Sequence, residues 1–495
     1  MKARVCGFLT GGLTSEFSLE ESITYSVDLA DMGLSPFALR PRAVLIRSYM
    51  RIRFEAAPAQ SSPLYKDAIR WNDWTWQMRA SLKTKADFAR VFDLDREETA
   101  GFLGAGLQDT AGIEGAAAEL KLFEVRTTPY YAALASATNA DDPIRRILMP
   151  RREELHRGVQ SMLDPLGEKK NSRTSRIVHR YPDRVLFLVT DFCSVYCRYC
   201  TRKHFTGGEA SFAKPTEYEE ALTYLRRATG VREVILSGGD PLTLSDAVLE
   251  RVLTDLRAMA HIEIIRIGSR MPVVNPMRVT DDLVRLLQKA KPVFLMTHFN
   301  HPRELTLEAA TAIEKFVDHG IPVFNQMVLL NGVNNSAAIV QALSRRLLFL
   351  RAKPYYMFQC DPSFGTDHLR TSIEESLAIQ RELWGNLSGL AMPNFSVDIP
   401  DGGGKTSLTP DFECVEERRG DLETGVRRVF EGWDGVRSEY LSPPAARRIE
   451  PADADHYLDE WRALKLAKED VRGSKISCSK FNDSTLERTV AESPV

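Results

Sequence analysis

Three cysteines, Cys193, Cys197 and Cys200, stand within eight positions in "DFCSVYCRYCTRKHF" (191–205), at CxxxCxxC spacing. Seven cysteines in 495 residues are too sparse for a disulfide scaffold, so a cluster this tight reads as metal-binding or catalytic. Structural zinc closes with four ligands, often as two CxxC pairs. No second pair exists here, because Cys6, Cys360, Cys414 and Cys478 are scattered singly. A four-iron cluster on three thiolates is the competing reading. It leaves one iron open to an outside ligand, which serves chemistry rather than structure.

A second stretch, "VDIPDGGGKTSL" (397–408), presents Lys405 after three glycines. A Walker A loop needs glycine where Ile399 stands, so a nucleotide-hydrolysing loop is disfavoured. A lysine on pliable backbone can form a Schiff base with an aldehyde, for which pyridoxal phosphate (PLP) is the obvious candidate. A surface turn with a solvated lysine is the alternative. Phosphate asks for fixed cations, and "HRYPDRV" (179–185) offers Arg180 and Arg184 with Tyr181; arginine's planar fork can donate two hydrogen bonds. In "SGGDPL" (237–242), Gly238 and Gly239 would let backbone approach a ligand closely.

These groups need a scaffold. Short apolar runs at 185–190, 233–236, 264–268, 293–297, 323–329 and 355–359 alternate with amphipathic stretches at 216–228, 244–259, 280–290, 304–318 and 336–350. That alternation predicts βαβ units around a parallel sheet. Most of the polar motifs lie at or near the C-terminal end of a strand: "DFCSVYC", "SGGDPL", "SRMPVV", "HFNHP" and "CDPSFG". Barrel enzymes build their sites there, whereas a doubly wound sheet concentrates its site at one switch point. The fold class expected is α/β, a partial (β/α)6 TIM-type barrel. Residues 1–65 read as a poorly ordered extension, 66–178 as a helical region, 179–411 as the barrel with the lysine loop, and 412–495 as a partly mobile C-terminal extension. Trp71 and Trp74, at i and i+3, read as core packing on a helix.

Lys+Arg is 65 against Asp+Glu 67, a net charge near −2, which offers nothing to nucleic acid. No apolar run is long enough to span a bilayer, and no secretory signal is evident. A cytoplasmic location is expected.

Taken together, "HRYPDRV", "DFCSVYCRYCTR", "LSGGDPL", "RIGSRMPVV", "THFNHP", "PYYMFQCD" and "VDIPDGGGKT" resemble the lysine 2,3-aminomutase family of the radical S-adenosylmethionine (SAM) superfamily, from about Trp71 to about Pro443. The resemblance implies a [4Fe–4S] cluster on Cys193, Cys197 and Cys200, SAM on its open iron, and PLP on Lys405. It implies PLP-phosphate contacts from Arg180, Tyr181 and Arg184. Ser237, Gly238, Gly239, Asp240, His298 and Gln326 would line the SAM and PLP pocket. Arg202 would bind the substrate's α-carboxylate, and Asp361 and Asp398 its ε-ammonium. Two converging carboxylates repel, and a cationic substrate terminus relieves them where an acidic one would not.

The implied reaction moves the 2-amino group of L-lysine to carbon 3, giving L-β-lysine. Arginine 2,3-aminomutation and formation of β-lysine on a protein are the alternatives. The implied partners are a small amino acid, an electron donor such as flavodoxin or ferredoxin, and a second copy of the chain. Three departures stand out. The family's C-terminal zinc cysteines are missing: 441–457 contains none, and Ser336 stands at the extra ligand position. Tyr199 replaces a common histidine. Phe358 replaces a common tyrosine.

Overall fold

The computed structural model describes residues 54–104, 123–156, 160–207, 212–421 and 423–444, and the single position 463. The expected extension at 1–53 and the tail at 472–495 lie outside the described residues, as does 445–457 of the cysteine-free segment.

Ten strands form one sheet in chain order. They are β1 (Ser172–Thr174), β2 (Ile177–Tyr181), β3 (Arg184–Thr190), β4 (Glu233–Gly238), β5 (Ile264–Gly268), β6 (Val293–Thr297), β7 (Val323–Leu329), β8 (Ala352–Gln359), β9 (Asn394–Ile399) and β10 (Gly404–Ser407). From β3 to β9 every neighbouring pair is parallel, giving seven parallel strands where six were expected. Antiparallel strands flank them: β1 and β2 at one end, β10 at the other. The sheet therefore begins at Ser172, inside the region expected to be helical.

Helices α1 (Pro215–Arg227), α2 (Asp246–Arg257), α3 (Asp281–Lys289), α4 (Leu307–Asp318) and α5 (Ala337–Phe349) make the crossovers from β3 to β8, and α6 (Ile373–Leu383) leads to β9. Their starts are written in sequence. Ser245, Thr280, Thr306 and Ser372 each accept a hydrogen bond from the first helical turn, satisfying donors that helix ends leave open. On α2, Leu249, Val252, Leu253 and Leu256 recur at helical spacing and are buried. Each such side chain contributes roughly 2 kcal/mol of burial.

The strands alternate. On β5, Ile265 and Ile267 are buried while Arg266 is half-buried; on β4, Val234 and Leu236 are buried while Glu233 and Ile235 are half-buried. The buried set joins the main apolar core. The half-buried set lines a cavity of about 840 Å3. Arg180 of β2 and Lys405 of β10, strands at opposite ends of the sheet, line that same cavity. A flat sheet could not do this, so the sheet is curled into a partial barrel.

Three other expectations change. Residues 54–65 are not a loose extension, because Phe54, Leu64 and Tyr65 pack on the core and the Ala57 N–H donates to Glu308 at 3.0 Å. Trp71 ends one short helix and Trp74 begins the next, each opened by its own aspartate cap, so their spacing is not one helical stripe. Trp71 is nonetheless core, and the Arg278 guanidinium lies 4.7 Å over the Trp74 ring. Beyond residue 411 the described chain forms a three-stranded antiparallel sheet, β11 (Arg419–Asp421), β12 (Gly425–Glu431) and β13 (Arg437–Ser442).

Candidate active site

Cys193, Cys197 and Cys200 lie in the loop after β3, and all three line the cavity. Among the described residues no three Cys, His, Asp or Glu side chains converge on a single ion. A four-iron cluster asks for something else, since each thiolate takes its own iron. Burial pushes the Cys193 and Cys200 thiols up, with Asp240 and the neighbouring thiols adding to it. Iron bound to these sulfurs would stabilise the thiolates and remove that cost.

The two glycines after β4 have a different reason from the one expected. A Cβ on Gly238 would sit 2.1 Å from the Thr190 carbonyl oxygen, and one on Gly239 would sit 2.2 Å from that of Phe192. The close approach is to the β3–cysteine loop backbone, so these glycines dock the loop that carries the thiols. Asp240 continues the same task. Its carboxylate accepts from the Leu242 N–H, from Ser269 Oγ at 2.6 Å and from the Arg270 N–H at 2.7 Å, tying the β4 loop to the β5 loop. Ser237 Oγ accepts from Arg202 Nη1 at 3.1 Å.

His298 is held neutral, its pKa pushed down to about 3 by burial and by Arg270. Its Nε2 has no hydrogen-bond partner. Tyr199 stacks on it, with ring centroids 5.5 Å apart and planes 16° from parallel. The Tyr199 hydroxyl accepts from Asn300 Nδ2 at 2.7 Å. So the tyrosine at the departure position shields one face of the imidazole.

The site does not stop at the C-terminal ends of the strands. Arg184 and Glu233 begin β3 and β4 in register with each other, and Arg266 lies mid-strand on β5; all three line the cavity. Two guanidiniums lie over the Tyr181 ring, Arg180 at 5.4 Å and Arg184 at 4.0 Å from its centroid. Arg184 pairs with Asp183, whereas Arg180 Nη2 is buried without a partner. That orphaned donor is what an incoming phosphate would satisfy.

Lys405 opposes Asp398 across the β9–β10 pair. Its Nζ lies 4.5 Å from the Tyr356 ring centroid and 4.3 Å from that of Phe358. A register shift beside Tyr355 breaks the β7–β8 ladder and turns both Tyr355 and Tyr356 toward the cavity. Burial, with Arg184, Arg266 and Arg180 nearby, lowers the Lys405 pKa against the pull of Asp398. A lysine with a lowered pKa is more often the free amine that attacks an aldehyde. Lys405, the aromatic wall and the unpartnered Arg180 donor together fit PLP.

Asp361 follows β8 and Asp398 lies on β9; both line the cavity. Burial, then Asp398, pushes Asp361 up to about 7. Burial also raises Asp398. Arg202 lines the same cavity, with Glu168 against the side of its guanidinium at 2.8–3.1 Å. Gln326 on β7 also lines the cavity.

Among the lining residues that escaped the sequence reading are Glu168, Glu233, Arg266, Arg270, Tyr355 and Tyr356. Arg266 was findable, because alternation in "IIRIG" puts it on the face opposite Ile265 and Ile267. Arg270 recurs four residues on, in the same motif. Nothing local marks Glu168, which is a tertiary partner of Arg202.

Known proteins place this arrangement. Residues 187–341 match the Radical SAM superfamily model. The chain is 41% identical over 373 residues to an L-lysine 2,3-aminomutase of Fusobacterium nucleatum, covering 75% of this chain and 83% of that protein. It is 39% identical over 382 residues to one from Clostridium subterminale, 77% of this chain and 87% of that protein. It is also 36% identical over 342 residues to a glutamate 2,3-aminomutase of Clostridioides difficile, 69% and 78%. With thiols, lysine and paired acids gathered around one barrel cavity, and relatives this similar over most of their length, the chain belongs to the lysine 2,3-aminomutase family of radical SAM proteins.

Proposed function

We propose that the protein moves the 2-amino group of L-lysine to carbon 3, giving L-β-lysine, with a [4Fe–4S] cluster, SAM and PLP. When bound, those groups supply the radical and the amine carrier. The chain positions them and keeps water out. In this reading Cys193, Cys197 and Cys200 hold the cluster, and Ser237, Gly238, Gly239, Asp240, His298 and Gln326 frame the SAM pocket. Lys405 carries PLP, with Arg180, Tyr181 and Arg184 at its phosphate. Arg202 takes the substrate carboxylate. Asp361 and Asp398 take the distal ammonium.

The observation that carries the substrate assignment is the pair of acids. Neither forms an ion pair with a fixed side chain among the described residues, and Asp361 is raised to about 7 partly by Asp398. A cationic substrate terminus relieves that repulsion, and an acidic one deepens it. An external electron donor of the flavodoxin or ferredoxin kind, a cytoplasmic location and a homo-oligomer complete the proposal. The test is an anaerobic assay with SAM and reductant comparing lysine, arginine, ornithine and glutamate. The fastest 2,3-amino shift is expected with lysine, giving β-lysine; preference for glutamate overturns the reading of Asp361 and Asp398.

A further inference from the structure

Arg270 is a buried guanidinium at the cysteine loop with every nitrogen engaged. Its Nη1 donates to Cys197 Sγ at 2.7 Å. Its Nε donates to the His298 carbonyl oxygen at 3.2 Å, and its Nη2 donates to Glu304 Oε1 at 2.6 Å and Tyr131 Oη at 2.7 Å. The anchors are themselves fixed. Glu304 is fully buried and also accepts from Tyr131 Oη and from the N–H groups of Asn300 and His301. The ion pair is neutral overall but oriented, with the guanidinium and not the carboxylate at the Cys197 sulfur. On the side away from the cavity the surroundings are apolar: Tyr199, Cys360, Ile147 and Leu330 form a cluster against which Cys197 packs.

We infer that Arg270 is a positioning residue that sets the reduction potential of the cluster, by holding a fixed positive charge and an N–H donor on the Cys197 sulfur. This rests on the assignment of Cys197 as a cluster ligand. Reduction adds one electron, supplied by the external low-potential donor, and makes the cluster and its thiolates more negative. A cation and a hydrogen bond at the thiolate favour the reduced state and raise the potential. At a buried guanidinium the effect is stronger than at a wet surface. A flexible or solvated cation would reorganise as the charge changed; the three anchors at His298, Glu304 and Tyr131 prevent that.

The experiment is an EPR-monitored redox titration of the anaerobically reconstituted full chain without SAM, with iron counted per chain. Wild type is compared with Arg270→Met, which fills similar space without charge or donor, and with Arg270→Lys. The midpoint potential is expected to fall in Arg270→Met and to lie between the two in Arg270→Lys. A wild-type potential in Arg270→Met at full iron loading overturns the inference. Should Arg270→Met not retain four irons, Arg270→Gln decides: it keeps an amide donor and loses the charge, so a lowered potential supports the inference and an unchanged one overturns it. A wild-type chain that takes up no four-iron cluster overturns the ligand assignment instead, and this inference with it.

Discussion

Raising the pH from 6 to 8 should tighten lysine binding because of Asp361. Burial and the neighbouring Asp398 push its carboxyl up to about 7. At pH 6 it is about one-tenth ionised, and at pH 8 about nine-tenths. Only the ionised form attracts an ammonium, and the lysine ε-ammonium, with a pKa near 10.4, stays protonated throughout. The lysine dissociation constant should therefore fall close to tenfold across this window, or about 1.4 kcal/mol. PLP and the α-amino group also titrate, so norleucine is the control: it keeps the carboxylate and α-amino group and ends in a methyl. The quantity to measure is the ratio of norleucine to lysine dissociation constants, read from the change in bound-PLP absorbance without SAM. It should rise close to tenfold from pH 6 to pH 8 and flatten beyond. A flat or falling ratio refutes the reasoning, as does an unchanged rise in Asp361→Asn.

The same raised pKa has a cost in the ligand-free protein. Between the ordinary 3.8 and about 7 the folded state binds more protons at Asp361 than the unfolded state does, so stability falls as pH rises through that window. Asp361→Asn should therefore melt higher than wild type at pH 8, with the gain shrinking toward pH 5, by calorimetry at several pH values. Lys405→Ala should lose the visible absorbance of covalently bound PLP while keeping its iron; a persisting, unchanged band would sink the role of Lys405. Gly239→Ala would set a Cβ 2.2 Å from the Phe192 carbonyl oxygen, displacing the residue before Cys193, so melting temperature and iron content should both drop. Arg145 and Glu98 form an ion pair with neither side chain exposed, and Glu98→Ala should destabilise by about 3–5 kcal/mol, measured by urea denaturation.

The barrel was legible because its strands are apolar runs punctuated by capped helices. The strand at 264–268 has the expected ends, and α1 to α5 fall within three residues of the expected stretches. What was missed lacks local signal. β10 is "GKTS", with no apolar residue and a glycine start. It is a strand because its backbone pairs with β9, which puts Lys405 opposite Asp398. β9 extends the parallel set and β10 returns antiparallel to it, which brings the lysine round to the cavity that Arg180 also lines. The glycines of "SGGDPL" were legible as a close approach, but not its object: sequence cannot distinguish a ligand from the Thr190 and Phe192 carbonyls. Arg202 raises the same difficulty, since its neighbour Glu168 lies 34 positions away.

The charges around the cavity divide into those that answer one another and those that await a ligand. Arg202 is paired with Glu168, Arg266 with Glu233 and Arg270 with Glu304. Asp361, Asp398, Lys405 and Arg180 have no such partner among the described residues. Pairing does not exhaust Arg202: Glu168 takes the Nε–H and lies 2.8 Å from Nη2 as its ion partner, and Ser237 takes one Nη1–H. A guanidinium has five donors, so each terminal nitrogen keeps one N–H, enough for a bidentate carboxylate. Glu168 thus fixes the plane of the fork without consuming its recognition edge. On the roles proposed above, the ligand-facing set is then a carboxylate fork, two acids, an amine and a phosphate donor. Lysine with PLP matches that set group for group, whereas glutamate would bring a second carboxylate to the acids and leave them without a cation.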